Sequence, residues 1–262
     1  MNYYVADIFT DRRFGGNPAG VCLPDHPLDA ETMQRIAAEN NLSETAFATP
    51  CGTDSRDWDL RWFTPEVEID LCGHATLATA FILMNHVDPD LRHVAFRTMS
   101  GVLTVDREGD VYQMGFPRRP GRPCPVPDGL EEALGAPVLE AVCSRDLLVL
   151  LRDEAEVAGL CPDHTALARA TDAFGIIATA PGSQCDFVSR YFAPGAGIPE
   201  DPATGSSHCT LIPYWSGRLG KTQMTSRQLS RRGGAFLCGD EGDRVRIGGR
   251  AVLYLAGRIT VD

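Results

Sequence analysis

The chain has no uninterrupted apolar run near the roughly 18 residues that a membrane-crossing helix requires, so a membrane span is not expected. Its first residues, Met1-Asn2-Tyr3-Tyr4-Val5-Ala6-Asp7, lack both a basic patch and an apolar stretch, so export is not expected and a cytoplasmic location is. Positive charge is scarce: 24 Lys and Arg stand against 35 Asp and Glu, giving a net charge of −11. That deficit argues against nucleic acid as a partner, because phosphate binding needs clustered cations. The short basic pairs Arg118-Arg119 and Arg231-Arg232 read as solvated surface. Nine cysteines fall without a CxxC pair and six histidines without metal-ligand spacing. Reduced thiols and no structural zinc are therefore expected.

What is present is the composition of a globular protein, 44% hydrophobic and 23% charged over 262 residues. That length accommodates two domains of about 130 residues, each with its own core. Strands are expected at Tyr3–Phe9 and Val21–Leu23, flanking a tight loop at Phe14–Gly20. Asp29 can cap a helix over 30–40 that presents Met33, Ile36 and Ala37 on one face. Asn41–Ala48 reads as a turn entering a strand, and Asp59–Phe63 as another strand. From Gly73 to about His86 the chain is apolar nearly all round, the pattern of a buried helix. Further strands are expected at His93–Thr98, Gly101–Asp106 and Asp110–Phe116, then a proline-rich linker at Pro117–Pro127. The second half repeats the plan, with a buried helix from Gly205 to Ser216 capped by Gly217. The strands mostly follow one another without crossover helices. The fold class read from this is α+β, with each half a mainly antiparallel sheet curled around one apolar helix.

The repeat is legible in detail. Arg61-Trp62-Phe63-Thr64-Pro65 returns in the second half as Arg190-Tyr191-Phe192-Ala193-Pro194. Each copy runs on into a polar, glycine-containing loop, Leu71-Cys72-Gly73-His74-Ala75-Thr76 and then Asp201-Pro202-Ala203-Thr204-Gly205-Ser206-Ser207-His208. The period is too long for a solenoid and implies two related halves sharing a cleft, where small-molecule sites form preferentially. The free N–H groups at two helix starts would bind an anion, most simply a substrate carboxylate. On the bland reading, Thr204, Ser206 and Ser207 only cap a helix. Glu44 lies among Leu42, Ala46 and Phe47, where desolvation would raise its pKa toward that of a neutral-pH acid or base. Read singly, Glu44 could equally be an exposed strand residue, Asp201 a turn residue before proline, and His74 a hydrogen-bonded core histidine.

Several segments in order along the chain resemble the phenazine-biosynthesis PhzF-like family. They are Asp7–Thr10 with Phe14–Gly20, Leu42–Phe47, Cys72–Thr76, and the long run from Ser189 to His208. The resemblance implies a diaminopimelate epimerase-like fold of two pseudo-symmetric domains, each a barrel-like sheet around a central helix. It sets the domains at 1–117 and 118–262, with the strand near 251–262 available to pack back on the first domain. It further implies a homodimer that uses no cofactor or metal and isomerises a small carboxylic acid by moving a carbon-bound proton. Glu44 matches the family's catalytic carboxylate, and His74, Asp201 and Ser206 its polar partners. Gly73, Ala75, Thr204, Gly205 and Ser207 match substrate-binding positions. Racemases of the related fold use two cysteines; here Cys72 occupies one such place but Thr204 the other. A threonine hydroxyl is too weak an acid to replace a thiolate, so two-thiol racemisation is not expected. Cys72 at a helix start could still be a reactive thiol with a lowered pKa, and equally a small apolar filler. The alternatives are therefore a one-thiol epimerase using Cys72 and a non-catalytic small-molecule-binding protein.

Overall fold

In a computed structural model, residues 1–51 and 56–261 are described, and the final position of the predicted C-terminal segment, Asp262, lies outside them. The chain divides into two compact units, Met1–Gly115 with Gly248–Asp262, and Phe116–Ile247. In chain order the first comprises β1 (Asn2–Ile8), β2 (Asn17–Leu23), α1 (Ala30–Asn40), β3 (Thr45–Pro50), β4 (Asp57–Phe63), β5 (Glu68–Ile69), α2 (Gly73–Ile82), β6 (His93–Thr98), β7 (Gly101–Glu108) and β8 (Val111–Pro117), whose last two residues cross the division. The second comprises β9 (Arg122–Cys124), α3 (Leu130–Leu134), β10 (Glu140–Cys143), β11 (Leu147–Leu150), α4 (Glu154–Ala158), α5 (His164–Ala170), β12 (Ile176–Pro181), β13 (Phe187–Phe192), α6 (His208–Leu219), β14 (Gln223–Gln228), β15 (Gly234–Asp240) and most of β16 (Arg244–Gly249). The last strand, β17 (Ala251–Arg258), pairs antiparallel with β1 and so belongs to the first unit.

The fold is α+β, but crossover helices matter more than the sequence pattern suggests. In the first unit β2 runs parallel to β3 and β4 parallel to β6, connected through α1 and α2. In the second unit β11 runs parallel to β12 and β13 parallel to β14, connected through α4 with α5 and through α6. Parallel neighbours need such a crossover, whereas antiparallel strands adjacent in sequence, such as β6 and β7, can be joined by short turns. The two buried helices are thus the second crossover of each unit.

Helix α2 buries every residue from His74 to Ile82, and a π-turn at Leu83–Val87 completes its C-terminal end. The outer face of the first unit's sheet is closed by α1, where Met33 and Ala37 pack on Val5, Cys22, Phe47 and Phe63. As expected, Asp29 caps α1, its Oδ1 accepting from Thr32 N at 2.9 Å. Among the described residues no helix is long and apolar enough to cross a membrane.

Five local expectations need correction. Half of the loop expected at Phe14–Gly20 is strand, since β2 begins at Asn17 and pairs with Ile8; the chain turns at Gly16, with φ +59°. A Cβ at Gly16 would run into the Ile8 carbonyl, so this turn requires glycine. The stretch expected as a linker carries β9, which pairs with β10. That pairing sets Cys124 and Cys143 diagonally across the ladder with Cα atoms 6.0 Å apart, and the two form a disulfide. The expectation of nine reduced thiols therefore fails for this pair, which no spacing rule could bring together across 19 positions. The helix α6 begins at His208 and runs to Leu219 with Gly220 as its cap, later than expected at both ends; Gly205–Ser207 form a preceding turn with His208 N donating to Gly205 O at 3.0 Å. Of the basic pairs, Arg118 is not free surface: its guanidinium grips Asp240 through Nε and Nη2 at 2.9 and 3.1 Å.

Candidate active site

Glu44 stands immediately before β3, and its carbonyl accepts from Gly20 N at 3.1 Å, locking the backbone to β2. His74 lies in the first turn of α2, and Cys72 is the residue before that helix, extended at φ −141° and ψ 111°. Cys72 makes no side-chain cap, so the leading N–H groups of α2 keep their capacity for an anion. The three side chains converge. His74 Nε2 is 3.0 Å from Glu44 Oε2, and His74 Nδ1 is 3.6 Å from Cys72 Sγ. The His74 and Glu44 side chains are only 10% and 14% exposed. The ring N–H is not aimed at the carboxylate, however, so Glu44 Oε2 and His74 Nε2 each lack an in-line hydrogen-bond partner. The pair attracts by proximity while keeping hydrogen-bonding capacity for a third group.

Burial is the largest single influence on the Glu44 carboxyl and pushes it up, but the charge and hydrogen bonding of His74, with a bond from Ser43, together outweigh it and hold the group below its usual 4.5. The sequence expectation of a raised Glu44 pKa is thereby reversed; the deciding partner lies 30 positions away, on a different element. Burial pushes His74 down, yet the neighbouring sulfur and carboxylate raise it well above 6.5. We assign that rise mainly to Glu44, because Cys72 is itself a neutral thiol: burial raises it, overcoming His74 and the Ala75 N–H. The lowered thiol pKa expected from the helix start is thus overridden by desolvation. These directions favour an ionised Glu44, a protonated His74 and a neutral Cys72 thiol. Glu44, with a depressed pKa, contributes stability above its unfolded value that is lost as pH falls through the folded one. His74, with an elevated pKa, contributes stability below 6.5 that is lost as pH rises through its folded value.

The second polar loop is held mainly by itself. The Thr204 hydroxyl donates to Asp201 Oδ2, and Thr204 N donates to Gln228 Oε1 at 2.8 Å. Gln228 Nε2 returns a bond to Asp201 O at 2.6 Å. Ser207 Oγ donates back to Thr204 O at 2.8 Å instead of capping α6. His208, fully buried between Thr204 O and Ser226 Oγ, is pushed down to about 4 by desolvation and stays neutral. Simple helix capping therefore does not account for this loop. The Thr204 and Ser207 hydroxyls are engaged internally, whereas Ser206, half-buried, has no such side-chain bond among the described residues. Gln228, which splints the loop from β14, was missed by sequence reasoning because nothing local marks it.

Strand register makes the internal duplication quantitative. Thr45 pairs with Phe63 as Ile176 pairs with Phe192, so Glu44 corresponds to Gly175. The backbone bond from Gly20 N to Glu44 O is matched by one from Leu147 N to Gly175 O at 2.9 Å. A Cβ at Gly175 would run into the Tyr191 hydroxyl and ring, so the second unit has no space for a carboxylate there. Tyr191 is fixed instead by Asp146, which accepts its hydroxyl at 3.1 Å. The repeated Arg-x-Phe phrase is architectural. Arg61 grips Glu68 through two bonds of 2.7 Å, and Arg190 grips Glu200 at 2.6 and 2.9 Å. Each guanidinium also lies over the phenylalanine two residues on, at 5.2 and 5.1 Å. The Glu–Cys–His cluster belongs to the first unit alone: Glu44, Cys72 and His74 align with Gly175, Thr204 and Ser206 of the second half.

Comparison with known proteins agrees with this architecture. The profile of the family described as phenazine biosynthesis-like protein (PhzC-PhzF) matches residues 6–124 and 126–257. An uncharacterized isomerase of Pseudomonas aeruginosa is 48% identical over 259 residues, covering 99% of this chain and 98% of that protein. The crystal structure of a PhzF family phenazine biosynthesis protein from Enterococcus faecalis superposes with a TM-score of 0.96 at 45% identity, covering 99% of both chains. A hydroxyproline epimerase from Agrobacterium vitis, at 11% identity and a TM-score of 0.62 over 98% of this chain and 91% of that one, shares the fold alone.

Proposed function

Because the chain belongs to the phenazine biosynthesis-like PhzC-PhzF family and is an isomerase, we propose that it moves a carbon-bound proton within a small carboxylic acid, with Glu44 as the base. The observation that carries this reading is the buried Glu44–His74 pair, 3.0 Å apart, whose facing atoms keep no in-line partner. An ionised carboxylate shielded from water is a competent proton acceptor, and here it stands beside the start of α2. The substrate carboxylate would lie against the N–H groups at Gly73 and Ala75. As Glu44 takes the proton, negative charge builds on the substrate, where the imidazolium of His74 and the positive end of α2 stabilise it. Glu44 then returns the proton at a second carbon. The base, the cation and the dipole together supply what the step requires, so the reading needs no cofactor.

Asp201, Gly205 and Ser206 enter the proposal as further substrate contacts on their residue-by-residue match to the family motif. Thr204 and Ser207 enter as the residues that hold that loop in shape. A homodimer in the cytoplasm completes the reading.

The one-thiol epimerase alternative draws on the 3.6 Å approach of Cys72 to His74. Against it stands the burial that keeps Cys72 protonated. Cys72→Ala is expected to keep turnover within about tenfold of wild type, well short of the 10²–10⁴-fold typical of a lost acid or base. A loss in that larger range, measured as kcat on the same acid, would make the thiol a second base.

A further inference from the structure

We propose that Glu44, His74 and Cys72 form a binding site for a borderline-soft divalent cation, with Zn²⁺ as the type ion, and that its occupation inhibits the isomerase. One oxygen, one nitrogen and one sulfur ligand atom lie within 4.8 Å of one another, all carried on regular secondary structure or directly beside it. This is the donor mixture that zinc prefers, with three protein ligands and a fourth position left for water or a substrate carboxylate. The distances come within about 1 Å of what it needs. Tetrahedral zinc, with bonds of about 2.0–2.3 Å, separates nitrogen from oxygen by about 3.3 Å and nitrogen from sulfur by about 3.6 Å. Here those separations are 3.0 Å to Glu44 and 3.6 Å to Cys72, measured from the two different ring nitrogens. A single nitrogen must serve the ion, so one side chain has to shift by about 1 Å to bring the widest pair to a tetrahedral edge. The three ligand atoms are also shielded from water: His74 as a residue is only 8% exposed, Cys72 6%, and the Glu44 side chain 14%.

Binding would form Zn–O, Zn–N and Zn–S bonds and release the imidazolium and thiol protons to solvent, with no change of oxidation state. Inhibition follows because the proposed base becomes a ligand; this half rests on the proposed function, whereas binding itself does not. The experiment uses Co²⁺ as a spectroscopic stand-in on the full chain, in a Cys161→Ser background that removes an exposed free thiol. One equivalent should produce tetrahedral Co²⁺ absorption with a sulfur-to-metal charge-transfer band. Cys72→Ala should abolish that band, and both Cys72→Ala and Glu44→Gln should weaken Zn²⁺ binding at least about tenfold in equilibrium dialysis. Absence of a thiolate band, or an identical band in Cys72→Ala, would overturn the site. Stoichiometric Zn²⁺ should block isomerisation and a chelator restore it; full activity of the Zn²⁺-loaded protein would overturn the inhibitory half. A normal cobalt band together with a fully active Glu44→Gln variant would count against the proposed function and leave the metal site standing.

Discussion

Glu44→Gln is expected to lower turnover by about 10²–10⁴-fold, the range seen when a positioned general base is removed. The amide is close to isosteric and cannot accept a proton at neutral pH, so the chemistry is lost while the shape is kept. Folding should survive, because the amide keeps the size and most of the hydrogen-bonding capacity of the carboxylate, so the packing around position 44 is preserved. Loss of the carboxylate also removes the group that raises His74, so the imidazole should titrate at a lower pH in the variant. NMR titration of the His74 ring checks that consequence separately from activity. An unchanged His74 titration would mean that the 3.0 Å approach does not govern the charge state of the site.

The second large effect is structural and uses the internal repeat as its own control. Arg190→Ala is expected to destabilise the protein by about 3 kcal/mol, since it strips one partner from a largely buried ion pair. The Arg190 and Glu200 side chains are 11% and 22% exposed, and Arg190 Nη1 also donates to Leu160 O at 2.6 Å. Arg61→Ala removes the corresponding residue of the first unit, but that side chain is 37% exposed. Water can replace its partner, so the cost should be about 1 kcal/mol or less. Urea denaturation of both variants measures the difference. Equal losses, or a larger loss at Arg61, would show that burial does not set the strength of this motif.

How much of this was legible in the sequence depended on whether the deciding partner was local. The start of α2 at Gly73 and the cap at Asp29 could be read because their determinants lie within one turn of chain. The grouping of Glu44 with His74 came from family resemblance, and the structure brings the two within 3.0 Å. The sign of the Glu44 shift was misread because apolar sequence neighbours suggest desolvation, whereas the dominant neighbour in space is a cation. For Cys72 the sequence leaves a reactive thiol and an apolar filler open, because the helix start is visible there but the burial that keeps the thiol neutral is not. The crossover pairing of β4 with β6, the disulfide from β9 to β10 and the Gln228 splint all join segments distant along the chain. The Arg-x-Phe repeat was conspicuous as a pattern, yet its purpose emerged only with Glu68 and Glu200 in place, as a pair of clamps outside the chemistry.

The central claim is that a carbon-bound hydrogen moves and that Glu44 moves it. The most direct test incubates a panel of small carboxylic acids with wild type and Glu44→Gln in D2O and follows every carbon-bound hydrogen by NMR and mass spectrometry. The account predicts that wild type converts an acid to an isomer in which one C–H bond is lost and a C–H or C–D bond appears at another carbon, and that Glu44→Gln leaves the same acid untouched. An isomer formed with all C–H bonds in place, or formed equally well by Glu44→Gln, would contradict it.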